Sequence, residues 1–197
     1  MPFQTLGNMV RASLLAALMA VGAYLHIPLG PVPIVLSTLF VLLSGLLLGS
    51  RWGGASVGLY LLVGAMGMPV FAGGRGGIAH FFGPTGGYLI GFLLAAWVAG
   101  FLSERSRGKL TFEIGAVALG SLAIYAVGVP WLKGVTQMSW SRSFWVGMAP
   151  FLLGDALKAF AALMLARSIR PVLGRASEGK GSVPLAGSGG NPNDQDS

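Results

Sequence analysis

Two oppositely charged residues, Asp155 and Lys158, lie three positions apart in the apolar stretch FLLGDALKAF, residues 151–160. This spacing puts both on one helix face, where the carboxylate and the ammonium can meet. Insertion scales assign about 2.5–3.5 kcal/mol to each such charge at a membrane-helix centre, and intramembrane charges usually mark functional sites. The pair predicts a ligand site in which Asp155 accepts N–H donors and Lys158 donates to an oxygen. The alternative is a self-neutralising pair that only holds the helix to its neighbours.

A second candidate region is the glycine-rich segment 67–91, GMPVFAGGRGGIAHFFGPTGGYLIG. Its glycines and prolines exclude a continuous helix, yet it is too apolar for a water-exposed loop. Irregular backbone at membrane depth is tolerated where it is buried or lines a cavity, and glycine lets the backbone approach a ligand closely. We therefore expect Gly73, Gly74 and Tyr88 at the ligand site. Arg75 either contacts an anionic ligand group or is an exposed loop charge.

The composition indicates what kind of chain carries these residues. Of its 197 residues, 54% are hydrophobic and 10% are charged, whereas soluble domains carry about 25% charged residues. The chain has no cysteine, and its two histidines and six acidic residues are scattered, so no metal and no cofactor are expected. Nucleotide-binding and hydrolase motifs are missing as well. A membrane protein that is not an enzyme is therefore predicted.

Apolar runs predict an all-α membrane protein with six transmembrane helices, at residues 8–27, 33–50, 53–66, 85–103, 110–130 and 150–169. An even number of spans puts both termini on one side, which receives nine of the thirteen lysines and arginines: Arg11, Arg51, Arg105, Arg107, Lys109, Arg167, Arg170, Arg175 and Lys180. The other side receives Arg75, Lys133 and Arg142, and the remaining cation, Lys158, lies within a span. Cytoplasmic loops carry the excess of positive charge, so both termini are predicted to be cytoplasmic, and the net charge of +7 requires no nucleic acid.

The ends of the chain have separate interpretations. Residues 1–170 are predicted to form the membrane domain, and residues 171–197, rich in Gly, Ser, Pro and Asn, a disordered cytoplasmic tail. The first apolar run is interpreted as a retained helix, with a signal peptide as the alternative. Pro150 suits the first turn of the last span. Trp140 and Trp145 are expected to lie at the outer membrane interface.

Two lines of small residues allow close helix packing in lipid. One line is Ala12, Ala16 and Ala20 in the first span, and the other is Gly87, Gly91, Ala95 and Ala99 in the fourth. The line in the fourth span is expected to pack internally. Sequence alone does not distinguish a line that packs internally from one that contacts a partner.

Three stretches in order carry a resemblance to a known family. They are residues 30–77, GPVPIVLSTLFVLLSGLLLGSRWGGASVGLYLLVGAMGMPVFAGGRGG, then 83–100, GPTGGYLIGFLLAAWVAG, and then 150–158, PFLLGDALK. Together they resemble BioY, the biotin-binding S component of energy-coupling factor (ECF) transporters. The resemblance covers most of residues 8–170. The sequence departs from it at Ser37, where many relatives have glutamine.

The resemblance implies a protein of the prokaryotic plasma membrane that captures biotin at its outer face for uptake. It also implies partners, namely a transmembrane coupling subunit and two cytoplasmic ATPases. The aspartate and lysine of the family's last helix fall on Asp155 and Lys158. The family's alanine motif for contact with the coupling subunit falls on Ala12, Ala16 and Ala20.

Three other functions stay open at this point. The chain could be an S component for another vitamin, such as riboflavin or thiamine. It could be a proton-coupled carrier that uses Asp155, although the neighbouring Lys158 favours a permanently ionised carboxylate. It could also be a scaffold subunit without a ligand, which the charged pair and the glycine-rich segment argue against.

Overall fold

The computed structural model describes residues 2–28, 30–106 and 108–178, most of which are helical. The helices, in chain order, are α1 (Pro2–Tyr24), α2 (Ser37–Ala65), α3 (Gly86–Arg105), α4 (Leu110–Thr136), the short α5 (Trp140–Gly147) and α6 (Leu152–Glu178). The short strands β1 (His26–Ile27) and β2 (Ile34–Val35) pair antiparallel. Short 3-10 helices span Ile78–Phe82 and Ala149–Phe151. Five helical segments of the described ranges are long and apolar enough to cross a membrane, which supports the predicted helical membrane class.

The helix α2 combines the predicted second and third spans, because it reverses direction at Gly49. The backbone of Gly49 has φ 78° and ψ −177°, a region that is essentially restricted to glycine. A Cβ atom on Gly53 would lie 2.9 Å from the Cα of Gly45, although residues eight apart in a straight helix are about 12 Å apart. The halves 37–48 and 50–65 therefore fold back on each other as a helical hairpin.

The turn of this hairpin is held by α3. The backbone N–H of Ser50 donates to Oε1 of Glu104 at 2.7 Å, and the Ser50 hydroxyl donates to the same carboxylate. The first N–H groups of a helix lack partners within the helix, so Glu104 satisfies a donor that the second half would otherwise leave open. A Cβ atom on Gly100 would collide with the backbone of Gly49 and Ser50, which shows how closely α3 approaches the turn.

Small residues bring α3 against its neighbours. The predicted internal packing of the line on α3 is confirmed, because Ala95 and Ala99 are fully buried and Gly87 and Gly91 are buried as well. A Cβ atom on Gly91 would lie 2.9 Å from the Cα of Ile124 on α4. Close approach of this kind supplies van der Waals contact where lipid provides no hydrophobic drive between helices.

The alanine line of α1 also lies largely inside the described part of the protein. Ala12 and Ala16 are buried, and Ala20 is half-buried against the core. The hydroxyl of Ser56 on α2 donates to the carbonyl of Ala12 at 2.7 Å. The small side chains allow the second half of α2 to come close enough for this bond, so they pack α1 against α2.

A buried carboxylate joins α4 to the last part of α6. The side chain of Glu113, 1% exposed, accepts from Nε of Arg167 at 2.8 Å and from Arg170. Arg167 also donates to the carbonyl of Gly108 at 3.0 Å, and Arg170 donates to the carbonyl of Leu46 at 2.7 Å. These contacts place the Gly49 turn, the α3–α4 connection and the end of α6 at one end of the bundle, which we call the basic end.

The last helix is longer than predicted. It passes through Pro171 and ends at Glu178, so the predicted domain boundary after residue 170 falls inside a helix. The pairing of Arg167 and Arg170 with Glu113 fixes the chain just before this boundary, and the backbone continues in the same conformation. The rest of the predicted tail, 179–197, lies outside the described residues.

The two halves of α2 provide a matched test of the hairpin. Gly49→Ala should lower the free energy of unfolding by about 1–3 kcal/mol, because alanine at this φ and ψ is strained and its Cβ would meet the Glu104 carboxylate. Thermal unfolding of the purified protein in detergent measures the change.

The control is Gly54→Ala, in the same helix, where a Cβ atom would meet nothing within 4 Å. There alanine should be neutral or stabilising by up to about 1 kcal/mol, because of its higher helix propensity. Equal effects of the two substitutions would contradict the hairpin geometry.

Candidate ligand-binding site

The charged pair lies in the first turns of α6, directly after the 3-10 turn Ala149–Phe151. Nζ of Lys158 donates to Oδ1 of Asp155 at 2.9 Å, and each side chain is 12% exposed. The predicted contact between the two residues is therefore confirmed. The helix starts within two residues of Pro150, as predicted, because proline fits the opening of a helix where its missing N–H is not needed.

A tyrosine that is not among the predicted site residues completes this pair. The hydroxyl of Tyr125, on α4, donates to Oδ2 of Asp155. Both carboxylate oxygens thus have a protein donor, while an ionised carboxylate offers about four acceptor positions in all. A buried tyrosine hydroxyl usually needs a partner, so a tyrosine inside an apolar span was the available signal. Asp155, Lys158 and Tyr125 are called the polar cluster below.

The polar cluster forms one end of a small cavity of about 40 Å³. The other lining residues come from the β-ribbon, α2, α3, α4 and the 3-10 turn before α6: Val32, Pro33, Val35, Thr38, Tyr88, Phe92, Ile124 and Phe151. Apart from the cluster and the Thr38 and Tyr88 hydroxyls, this lining is apolar. A few directed polar groups in an apolar pocket are the usual basis of small-molecule specificity.

A second cavity of about 40 Å³ adjoins the first and shares Tyr88 and Phe92 with it, together with three residues of the ribbon region. Its remaining lining contains aromatic and small side chains: Ala23, Ser37, Tyr60, Phe71, Ala72, His80, Thr85 and Leu89. Each cavity holds only a few waters at about 10–15 Å³ per water. A larger ligand therefore needs a shift of the walls, and the segment 32–35 is a wall common to both cavities.

Tyr88, one of the predicted site residues, lines both cavities. Its hydroxyl donates to the carbonyl of Gly147 at 2.7 Å. Glycines at 128 and 147 leave room for its ring, since a Cβ atom on Gly128 would collide with it. The hydroxyl bond and these two glycines therefore hold the ring beside both cavities.

The glycine-rich segment reaches the second cavity through Phe71 rather than through the predicted glycines. Phe71 is fully buried, and its ring stacks on His80 at a centroid distance of 5.2 Å and meets Tyr60 edge-on at 5.6 Å. Such pairs stabilise beyond their buried area. Phe71 is therefore the anchor of this loop, and its apolar character was the signal in the sequence.

Gly73, Gly74 and Arg75 lie at the tip of the turn that follows Phe71. The N–H of Phe71 donates to the carbonyl of Arg75 at 2.8 Å, and the two glycines have φ of 74° and 69°, which the tight turn requires. The described cavities are not lined by these three residues. Arg75 is exposed, so the structure brings together Asp155, Lys158 and Tyr88 but not the glycine turn.

His80 contributes a neutral polar group to the second cavity. Burial, and to a lesser extent the charge of Arg75, lower the pKa of the His80 imidazole below its ordinary value. Its Nε2 lies 3.1 Å from Oγ1 of Thr85. A neutral ring can stack on Phe71 and still exchange a hydrogen bond with Thr85, so both interactions coexist near neutral pH.

The residue at position 37 has a structural partner. The hydroxyl of Ser37 donates to the carbonyl of Met19 on α1 at 3.0 Å, and Ser37 lines the second cavity. A serine is short enough to bond to α1 and leave the cavity open. The departure from glutamine at this position is thus compatible with the packing of α1 on α2.

Known proteins are similar to this chain in sequence. The sequence model of the BioY family matches residues 2–175. The probable biotin transporter BioY of Pyrococcus horikoshii is 40% identical over 158 residues, which cover 80% of this chain and 93% of the relative. The biotin transporter BioY of Thermotoga maritima is 41% identical over 163 residues, covering 83% and 95%.

A solved structure shows the same fold. The crystal structure of the S component for biotin from an ECF-type ABC transporter superposes with a TM-score of 0.81 at 31% identity. The match covers 87% of this chain and 94% of that protein. The agreement extends over nearly the whole helical bundle.

The anchoring role of Phe71 is testable by stability. Phe71→Ala should destabilise the protein by about 3–5 kcal/mol, the usual loss for a fully buried phenylalanine. Chemical or thermal unfolding in detergent reports the change. Phe82→Ala is the matched control, because Phe82 ends the 3-10 helix of the same loop and is 70% exposed. Similar losses from both substitutions would contradict the anchor.

Proposed function

Because the chain belongs to the BioY family, we propose that it captures biotin at the outer face of the membrane as the substrate-binding (S) component of an ECF-type ABC transporter. The observation that carries this proposal is the polar cluster of Asp155, Lys158 and Tyr125 at the end of an otherwise apolar cavity. The names of the relatives, biotin transporters, support the same ligand.

The chemistry of biotin matches the polar cluster. Biotin has a cyclic urea with two N–H donors and one carbonyl acceptor, and a carboxylate on an apolar chain. Asp155 keeps acceptor positions beyond those used by Lys158 and Tyr125, so it can accept a urea N–H. Lys158 has three N–H donors and can donate to the urea carbonyl or to the carboxylate while it stays bonded to Asp155.

The apolar part of biotin suits the adjoining cavity. The walls around Phe71, Tyr60 and Phe92 offer aromatic surface to the fused rings or to the alkyl chain. Binding requires the two cavities to merge, which we attribute to movement of the common wall at 32–35. When the cavities merge, each Å² of apolar ligand surface that is buried stabilises the complex by about 25 cal/mol. This gain offsets the free energy needed to move the wall.

We assign a role in the approach of the ligand to Gly73, Gly74 and Arg75, because these residues do not line the two cavities. Arg75 is an exposed cation of the glycine turn, and biotin is an anion. Exposed charges of opposite sign speed association at low salt. Closure of the glycine turn over the ligand would bring its backbone N–H groups within reach.

We further propose six membrane spans with both termini in the cytoplasm. The five long apolar helices include α2, whose hairpin at Gly49 turns one helix into two antiparallel spans. Cations gather near the basic end: Arg51, Arg105, Lys109, Arg167 and Arg170. Positive charge favours the cytoplasmic side, so the polar cluster lies toward the outside.

Transport then depends on partners. The chain lacks a phosphate-binding motif, so the energy for uptake comes from two ATPases through a transmembrane coupling subunit, all at the prokaryotic plasma membrane. Because Ala12 and Ala16 are buried, we assign the contact on α1 to the adjacent exposed face, which carries the small residues Ser13 and Ala17. Ala20, partly exposed, borders it.

Equilibrium binding of labelled biotin to the purified protein tests the ligand assignment. Asp155→Asn should weaken binding by at least about 1.5 kcal/mol, the lower value for a charge-assisted hydrogen bond. Lys158→Ala should weaken it as well, and Tyr125→Phe by about 0.5–1.5 kcal/mol. Riboflavin and thiamine should not compete. Glu104→Gln, a carboxylate near the basic end, is the control. Folded Asp155 and Lys158 variants that bind biotin like the wild type would reduce the cluster to a structural role.

Two neighbouring alanines on α1 test the coupling face. Ala17→Trp should leave biotin binding intact but reduce biotin uptake and co-purification with the coupling subunit, since bulk on an exposed contact face blocks close approach. Ala16→Trp should instead destabilise the chain by about 1–3 kcal/mol, because it overpacks the interior. Normal uptake and co-purification with Ala17→Trp would exclude this face.

A further inference from the structure

The helices α4 and α6 are joined at both ends by polar side chains in one antiparallel register. Near the basic end Glu113 of α4 meets Arg167 of α6, and at the other end Tyr125 meets Asp155. On each helix the two positions are twelve residues apart, which corresponds to about 18 Å. The two helices are therefore held at a set distance over this length. It is comparable to the thickness of one leaflet, because the hydrocarbon core of the whole bilayer is about 30 Å thick.

Between these two links the helices leave a groove of about 510 Å³. Apart from Ser121, Tyr125 and Asp155, its lining is apolar. It includes Ile114, Ala118 and Leu122 of α4 with Ala156, Phe160 and Met164 of α6. Phe160 is 63% exposed, which shows that the groove opens to the outside of the bundle. Toward the end away from the basic end, Tyr125 and Asp155 line it together with Leu152.

The mouth of the groove at the basic end carries two cations. Lys109 is exposed and precedes Leu110, the first groove residue on α4. Arg167 lies one turn beyond Leu163 and Met164 and keeps 38% of its side chain exposed. Its bonds to Glu113 and Gly108 use two of five N–H donors. The mouth can therefore bind an anionic oxygen-rich group without breaking the link to Glu113.

We propose that this groove is a binding site for an anionic phospholipid, with one acyl chain between α4 and α6 and the phosphate at Lys109 and Arg167. An apolar groove that faces lipid is filled by hydrocarbon rather than water, and basic pockets between membrane helices bind anionic headgroups. The acyl chain covers the lipid-facing side of the bond between Tyr125 and Asp155. It thereby keeps water away from the polar cluster without taking part in ligand capture.

Native mass spectrometry of the delipidated protein, after addition of phosphatidylglycerol or phosphatidylcholine with identical acyl chains, tests the site. The wild type should retain one phosphatidylglycerol in preference to phosphatidylcholine. Ala118→Trp, which fills the groove, should lose that lipid, and so should Ala156→Leu from the opposite wall. Lys109→Ala should reduce the preference for phosphatidylglycerol about fivefold, the effect of one cation at the membrane surface, while chain retention persists.

The controls are Ala126→Trp, at an exposed position of α4 outside the groove, and Arg51→Ala, an exposed cation of α2. Both should retain the lipid like the wild type. Undiminished retention in Ala118→Trp and Ala156→Leu would overturn the proposal, as would equal retention of the two lipids by the wild type. Displacement of the lipid by inorganic phosphate would indicate a site for free anions. A protein dimer that Ala118→Trp abolishes would instead assign the groove to a second copy.

Discussion

A carboxylate buried among apolar helices is stable only with partners that replace water, and the arrangement of α4 and α6 follows from this requirement. Asp155 of α6 is bonded to Tyr125 of α4, and Glu113 of α4 is bonded to arginines of α6. Each helix supplies the donors for the buried carboxylate of the other. Removal of Arg167 and Arg170 would leave the charge of Glu113 uncompensated, typically at a cost of about 3–5 kcal/mol, and removal of the Tyr125 hydroxyl would leave Oδ2 of Asp155 without its donor from α4. The two links therefore fix the position of the last helix.

This constraint also determines what the site can do. The link at Asp155 holds the carboxylate at the edge of the cavity, and Lys158 keeps it charge-balanced from the same helix. The cluster is then ordered before a ligand arrives, which lowers the entropy lost on binding. The wall at 32–35 is built from a two-residue ribbon and a short loop, so little secondary structure supports it.

The rest of the bundle is assembled by close backbone approach. The hairpin of α2, its contact with α3 and the packing of α3 on α4 occur at Gly45, Gly49, Gly53, Gly91 and Gly100. These contacts bring Tyr88 and Phe92 of α3 beside the cavities. Glycine thus serves the function indirectly, by setting helix distances, while the groove between α4 and α6 persists because polar links rather than small residues set that distance.

The class of the protein, the positions of its apolar segments and the pair of Asp155 and Lys158 can all be predicted from the amino-acid sequence. These features are local: apolar run length, proline and glycine positions, and the i, i+3 spacing on one helix are all properties of neighbouring residues. The reversal at Gly49 was anticipated in the same way, as a break between two predicted spans.

The distant residues that complete the site become apparent in the folded chain and not in its sequence. Tyr125 reaches Asp155 across thirty positions, Phe71 rather than the glycine turn lines the cavity, and Ala12 and Ala16 face α2 instead of the surface. The physical reason is that a periodic pattern identifies a helix but not its rotation toward one neighbour or another. In a chain that is apolar on nearly every face, that rotation is set by a few polar bonds and small-residue contacts between helices.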